Sequence, residues 1–215
     1  MDLLLRQEKP ADYRATEELT REAFWNLNTP ACVEHYLTHI LRSSKSFVPE
    51  LDLLALKGDQ LVGNIIYTKA IIKKDDGSTQ EVLSFGPLAV LPAYQHQGIG
   101  TALIERTKEL ATQMGYTAIL IFGNPEYYQR FGFKAAENYR IGTEWNTYAD
   151  ALLALELVPN ALANAAGVFI EDPAFNVDEA QVSAFDKTFV PKEKLEGLPS
   201  QLKFMEQVQK NKPRT

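Results

Sequence analysis

Apolar residues recur at helical spacing near both ends of the first half of the chain and fall in short alternating or unbroken runs between them. That contrast predicts a mixed α/β fold. Leu3-Leu4-Leu5-Arg6 reads as a short first strand, and over residues 10–24 the positions Tyr13, Thr16, Leu19, Ala23 and Phe24 share one helix face. A second helix is predicted from Thr29-Pro30, a cap followed by a first-turn proline, with Val33, Tyr36, Leu37, Ile40 and Leu41 as its apolar stripe. Residues 51–57, 61–72 and 80–91 read as three strands joined by turns at Gly58-Asp59 and Asp75-Asp76-Gly77, an antiparallel meander. A long helix from Gly98 presents Leu103, Thr107, Leu110, Ala111 and Met114 on one face and stops at Gly115. Residues 118–122 form an apolar central strand, so the sheet is central and largely antiparallel, with helices packed on it.

The densest chemistry lies where the third strand of the meander feeds the long helix, in Leu88-Ala-Val-Leu-Pro-Ala-Tyr-Gln-His-Gln-Gly-Ile-Gly-Thr-Ala-Leu103. Gln95-His96-Gln97-Gly98-Ile99-Gly100 lacks a Cβ at two points, so backbone N–H groups can converge on an anion while the first helical turn adds its positive dipole end. A pyrophosphate fits that description. A P-loop would need a lysine after Gly100, where Thr101-Ala102 stand. A dinucleotide fingerprint would want a small residue at Leu103 and an acid at the end of the next strand, which instead reads Ile121-Phe122-Gly123-Asn124. An ordinary helix start behind a mobile turn is the bland alternative for the same six residues. Past the next strand, Gly123-Asn-Pro-Glu-Tyr-Tyr-Gln-Arg-Phe-Gly-Phe133 predicts a short helix capped by Asn124, entered through Pro125 and closed by Gly132.

With both segments in hand, the chain resembles the GNAT superfamily of acyl-CoA N-acyltransferases. The family motif Gln/Arg-x-x-Gly-x-Gly/Ala is met by Gln95, Gly98 and Gly100, and its Tyr-x-x-x-Gly-Phe signature by Tyr128, Gly132 and Phe133. The resemblance covers residues 1–157, most securely 3–133, and leaves 158–215 as a C-terminal extension packing on the core. It implies strands splayed around a coenzyme A cleft, with acetyl-CoA as cosubstrate and a primary amine as acceptor. The pantetheine arm would pair with backbone groups of Leu88, Ala89 and Val90, and a backbone N–H near Leu88 or Val90 would polarise the thioester carbonyl. The pyrophosphate would take N–H groups from Gln95, His96, Gln97, Gly98, Ile99, Gly100 and Thr101. Gly86-Pro87 suits a bulge just upstream.

Tyr128 matches the family's general acid toward the coenzyme A thiolate, although Tyr127 is its neighbour and either could be a core aromatic. Asn124 reads first as a helix cap, in a position that in this family often touches the pantetheine. Arg130 is expected to face solvent or a coenzyme phosphate. An amine of pKa about 10.4 is only about 0.04% neutral at pH 7, a cost of about 4.6 kcal/mol, so a base or water chain is needed. The strand at 80–91 offers only Glu81 near its start and Ser84 within it, so the glutamate that some family members carry there is absent or displaced. Glu126 is the candidate by proximity, with a helix-dipole role as its plain alternative. His35 and His39 lie four apart but lack a third ligand, so they read as surface or acceptor-groove residues and no metal is expected. Cys32 carries no mark of an activated nucleophile.

Composition narrows the classes further. The 215 residues are 45% hydrophobic, enough for one full core, and 28 acidic against 22 basic side chains give a net charge of −6, which speaks against a general nucleic-acid or anionic-membrane surface and mildly favours a cationic acceptor. One cysteine, no signal-like segment and no apolar run of membrane length predict a cytoplasmic protein. In the extension, residues 150–157 and 168–170 read as strands, 159–166 as a helical turn, 198–210 as a closing helix and 211–215 as disordered. Trp145, Tyr148, Phe175 and Trp25 are expected to shape the acceptor pocket, and a homodimer surface is an equal use for the tail. A catalytically idle acyl-CoA-binding or partner-binding domain is the alternative function, because no base is evident.

Overall fold

A computed structural model describes residues 3–214. The meander forms as expected: β1 (Leu4–Gln7), β2 (Leu53–Lys57), β3 (Gln60–Lys74) and β4 (Thr79–Val90) pair antiparallel in chain order. β5 (Ala118–Phe122) lies parallel to β4, followed by α4 (Pro125–Tyr128) and two short strands, β6 (Lys134–Ala135) and β7 (Ile141–Gly142). β8 (Thr147–Ala149) leads into β9 (Leu152–Glu156), which lies between β5 and β6 in the sheet. β10 (Gly167–Ile170) turns back onto the far half of β3 and also pairs with β7, so the region beyond residue 157 supplies a strand of the main sheet.

α1 (Tyr13–Phe24) and α2 (Glu34–Leu41) pack against one another and against β3 and β4. α3 (Ile99–Gln113) packs over β2, β3 and β4 through Ile99, Leu103, Ile104, Thr107 and Ala111. Ala118 through Ile121 are buried on both faces of the sheet, where truncating a leucine or isoleucine to alanine typically costs about 2–5 kcal/mol. The framework around the β4–β5 junction is therefore stiff. α5 (Glu179–Asp186) and α6 (Pro199–Val208) complete the chain, with β11 (Asn211–Pro213) at its end.

Several sequence expectations shift. α2 begins at Glu34 rather than after Thr29-Pro30, because Asn26 Oδ1 accepts the Ala31 N–H, Ala31 has a positive φ, and Glu34 accepts the Val33 N–H. Met114 follows the last helical residue and is exposed. Residues 159–166 make turns without a helix. Asn211–Pro213 is a strand paired with β8, where a disordered end was expected; Thr215 lies outside the described residues. His35, expected at the surface or in the acceptor groove, is instead fully buried against Phe185 and Phe189, with Nε2 3.2 Å from Asp186. Desolvation holds its pKa low, so it packs as a largely neutral core ring.

Candidate active site

β4 and β5 meet at a single register position, Leu83 opposite Ile119. Beyond it β4 stays with β3 as far as Val90 opposite Gly63, while β5 follows β9 to Phe122 opposite Leu152. The two strands part in a V. On the way the β3–β4 ladder shifts between Ile65 and Tyr67, two steps on β3 facing three on β4, which places the extra residue in Gly86-Pro87 as expected. The Leu91 N–H donates to Val62 O, and an antiparallel ladder alternates, so Ala89 spends its backbone on β3 while Leu88 and Val90 turn theirs toward the opening. The Val90 carbonyl accepts there from Gln95 Nε2 at 3.2 Å.

At the wide end of the V stands the glycine turn. His96 and Gly98 both have positive φ, and Gly98 caps α3 in the left-handed region, a conformation in which a side chain would be strained. Gly100 serves differently: a Cβ there would come within 2.8 Å of the Tyr127 hydroxyl. The first helical bond runs from Ala102 N–H to Gly98 O, so the N–H groups of Ile99, Gly100 and Thr101 lie ahead of it, free to meet an anion with the dipole behind them. Gln95 is turned away from that cluster, since its own N–H donates to Pro92 O.

α4 carries the two tyrosines. Asn124 accepts the Glu126 N–H at 2.9 Å, which bears out its cap role, and it also borders the opening. Tyr128 packs on Phe85, Phe131 and Phe133 and faces the cleft; burial pushes its phenol above the usual tyrosine range, so it stays protonated. Tyr127 points instead toward Gly100, under the Arg130 guanidinium at 4.0 Å. Glu126 is directed outward: its carboxylate is 75% exposed, 3.2 Å from Lys203 Nζ, and it is not among the cleft walls.

A carboxylate the sequence did not single out stands in the cleft. Glu171 follows β10, and its Oε1 accepts from the buried Ser84 Oγ at 3.3 Å, which brings a carboxylate from a distant segment beside β4. Burial, with a smaller push from Glu144, raises it to about 7 despite the serine bond. Successive side chains on a strand point to opposite faces, so Glu171 reaches Ser84 on one face of β4 while Tyr128 packs on Phe85 on the other. Both border one cavity of about 780 Å³ at the parting of the strands. The only hint in the sequence is a Glu-Asp pair ending an apolar strand.

Of the expected pocket aromatics, Trp145 and Phe175 line the cavity. Trp25 does not; it lies beneath Arg21 and Lys192, with Nε1 donating to Glu193 O. Tyr148 is paired with Lys212 on β11, away from the walls. Cys32 is buried against His35, and desolvation pushes its thiol up to about 12, which leaves it inert. α6 roofs the cavity with Phe204 and Val208 and is latched on two sides: Gln207 Nε2 donates to Gly123 O, and Gln201 Nε2 to Asn26 O.

Comparison with known proteins agrees with this architecture. A family model described as an acetyltransferase (GNAT) domain matches residues 49–135. The uncharacterized N-acetyltransferase YhbS of Escherichia coli (strain K12) is 26% identical over 175 residues, covering 81% of this chain and 99% of the relative. A crystal structure of Escherichia coli YhbS in complex with CoA superposes with a TM-score of 0.71 at 25% identity, over 81% of this chain and 92% of that one. A GNAT family acetyltransferase from Brucella melitensis in complex with acetyl-CoA gives 0.66 at 26% identity, over 81% and 98%. With its parted strands, glycine turn and aromatic helix, and an acetyltransferase (GNAT) domain matched over residues 49–135, the chain is supported as a GNAT superfamily acyltransferase.

Proposed function

We propose that this protein transfers the acetyl group of acetyl-CoA to a primary amine by direct attack, with Tyr128 as general acid and Glu171 as general base. Support comes above all from the joint presence, in one cavity where β4 and β5 part, of a protonated phenol and a carboxylate without a cationic partner among the described residues. The diphosphate lies on the N–H groups from His96 through Thr101, and the pantetheine runs along Leu88 and Val90. An N–H turned into the opening polarises the thioester carbonyl. Glu171 takes the ammonium proton, and the freed lone pair attacks the carbonyl carbon. As the adduct collapses the C–S bond breaks, Tyr128 protonates the departing sulfur, and the second nitrogen proton replaces the one the phenol gave. An affinity for protons at about 7 suits Glu171 to that task at neutral pH.

Among the described residues no helix is long and apolar enough to cross a membrane. Together with a single buried thiol, that is in keeping with a cytoplasmic site of action. The reading is tested by thiol release from acetyl-CoA over a panel of amines. Turnover with at least one amine is expected; tight coenzyme binding without turnover on any of them would replace the transferase with an acyl-CoA-binding module.

A further inference from the structure

Three properties of the cavity beyond the thioester bear on what enters it. Its walls are mostly apolar, with Phe24, Leu37, Phe122, Phe175, Phe204 and Val208 contributed by five separate parts of the chain. Its two acidic side chains are not equivalent. Glu34 already accepts from Asn28 Nδ2 at 3.1 Å and from the Val33 N–H at 3.0 Å, whereas Glu171 holds one long bond from Ser84. Neither has an ion-pair partner among the described residues, so Glu171 is the carboxylate with capacity left for a cation. Finally, α6 closes the cavity from above, latched through Gln207 and Gln201, and the exposed Trp145 indole stands at its mouth.

Resting on the transferase reading above, we propose that the acceptor is a small primary amine carried on an aromatic or alkyl body, its single ammonium against Glu171 and its apolar part beneath Phe204 and against Phe175. A polyamine would bury a second ammonium against hydrocarbon with no free carboxylate to receive it, which is strongly unfavourable. An amino sugar would bring a ring of hydroxyls against a mostly apolar lining, where only scattered side chains such as Asn28, Thr143, Thr147 and Ser200 could meet them. A peptide would add backbone groups with the same difficulty. An arylalkylamine meets both halves of the cavity: one charge for one carboxylate, and a flat apolar body for aromatic walls. Much of this selectivity comes from residues beyond 143, on the far side of the region matched by the family model.

The test compares kcat/KM of the full chain with acetyl-CoA and 2-phenylethylamine, ethanolamine, spermidine and a phenylalanyl dipeptide. Burial of one phenyl ring predicts a preference for phenylethylamine over ethanolamine of about 30-fold. Phe204→Ala and Phe175→Ala, one on the roof and one on the wall, should each lower kcat/KM for phenylethylamine about 10-fold, mostly in KM, and move the ethanolamine value less than about 2-fold. Preference for ethanolamine, spermidine or the dipeptide would overturn the acceptor assignment while leaving the transferase intact. Equal losses for both amines in the two variants would overturn the pocket role of these rings. Inactivity with every amine, while coenzyme A still binds by calorimetry, would overturn the transferase reading itself and the acceptor with it.

Discussion

The two sides of the cleft are made of different material. The side proposed for the coenzyme is main chain: Leu88 and Val90 with backbone groups turned away from β3, then a turn whose N–H groups are gathered by Gly98 and the start of α3. The side proposed for the acceptor is side chain: rings and carboxylates brought from α1, α2 and their connection, the segment around Trp145, the residues after β10 and α6. Main-chain recognition suits a cosubstrate that never changes and tolerates almost any residue that does not add atoms. Side-chain recognition can be rewritten one substitution at a time. The first side should therefore fail by crowding and the second by truncation.

The largest effect is expected on the coenzyme side. Gly98→Ala with Gly100→Ala strains the left-handed cap and displaces the Tyr127 hydroxyl. Losing two charge-assisted hydrogen bonds should weaken coenzyme A binding by roughly 10³-fold in calorimetry, with the circular dichroism spectrum unchanged. Next, Tyr128→Phe should lower kcat about 10²-fold with the acetyl-CoA KM nearly constant, whereas Tyr127→Phe, aimed at Gly100, should change kcat less than about 3-fold. A reversal of that pair would exchange the roles of the tyrosines. Because burial keeps the Tyr128 phenol protonated, kcat should show no falling limb from this group below about pH 10.

Glu171→Gln tests the other side. The wild-type kcat should rise with pH through about 7 and level off, and the variant should lose that limb along with about 30-fold of activity at pH 8. An unchanged profile would remove Glu171 from the chemistry. The same substitution also acts on stability. The folded carboxyl titrates at about 7 and the unfolded one near 4.5, so the native state binds the extra proton and the wild type loses stability as pH rises between those values. Glu171→Gln should therefore stabilise the protein by about 3 kcal/mol at pH 8 and hardly at all at pH 4, as read by denaturant melts at both.

What could be read from the sequence follows the same division. The strand Ala118–Phe122, the long helix and the glycine turn are contiguous, and local rules of burial, φ and capping suffice for them. Where an outcome depends on distant chain, those rules fall short. His35 becomes core only because α5 lays Phe185 and Asp186 over it. Glu171 becomes a cleft residue only because Ser84, 87 positions away, is its neighbour in space. Asn211–Pro213 is polar enough to pass for a loose end, yet ladder bonds to β8 use backbone that every residue has. Glu126 looked suitable by its nearness to the tyrosines along the chain, but the helix turns it toward Lys203 and solvent.

The most direct test is a crystal structure with bound coenzyme A. The account predicts the diphosphate on the backbone N–H groups between His96 and Thr101, the pantetheine between β4 and β5 along Leu88 and Val90, and the sulfur beside the Tyr128 hydroxyl, opening toward Glu171. A coenzyme bound elsewhere, with the glycine turn empty and nothing between β4 and β5, would contradict it.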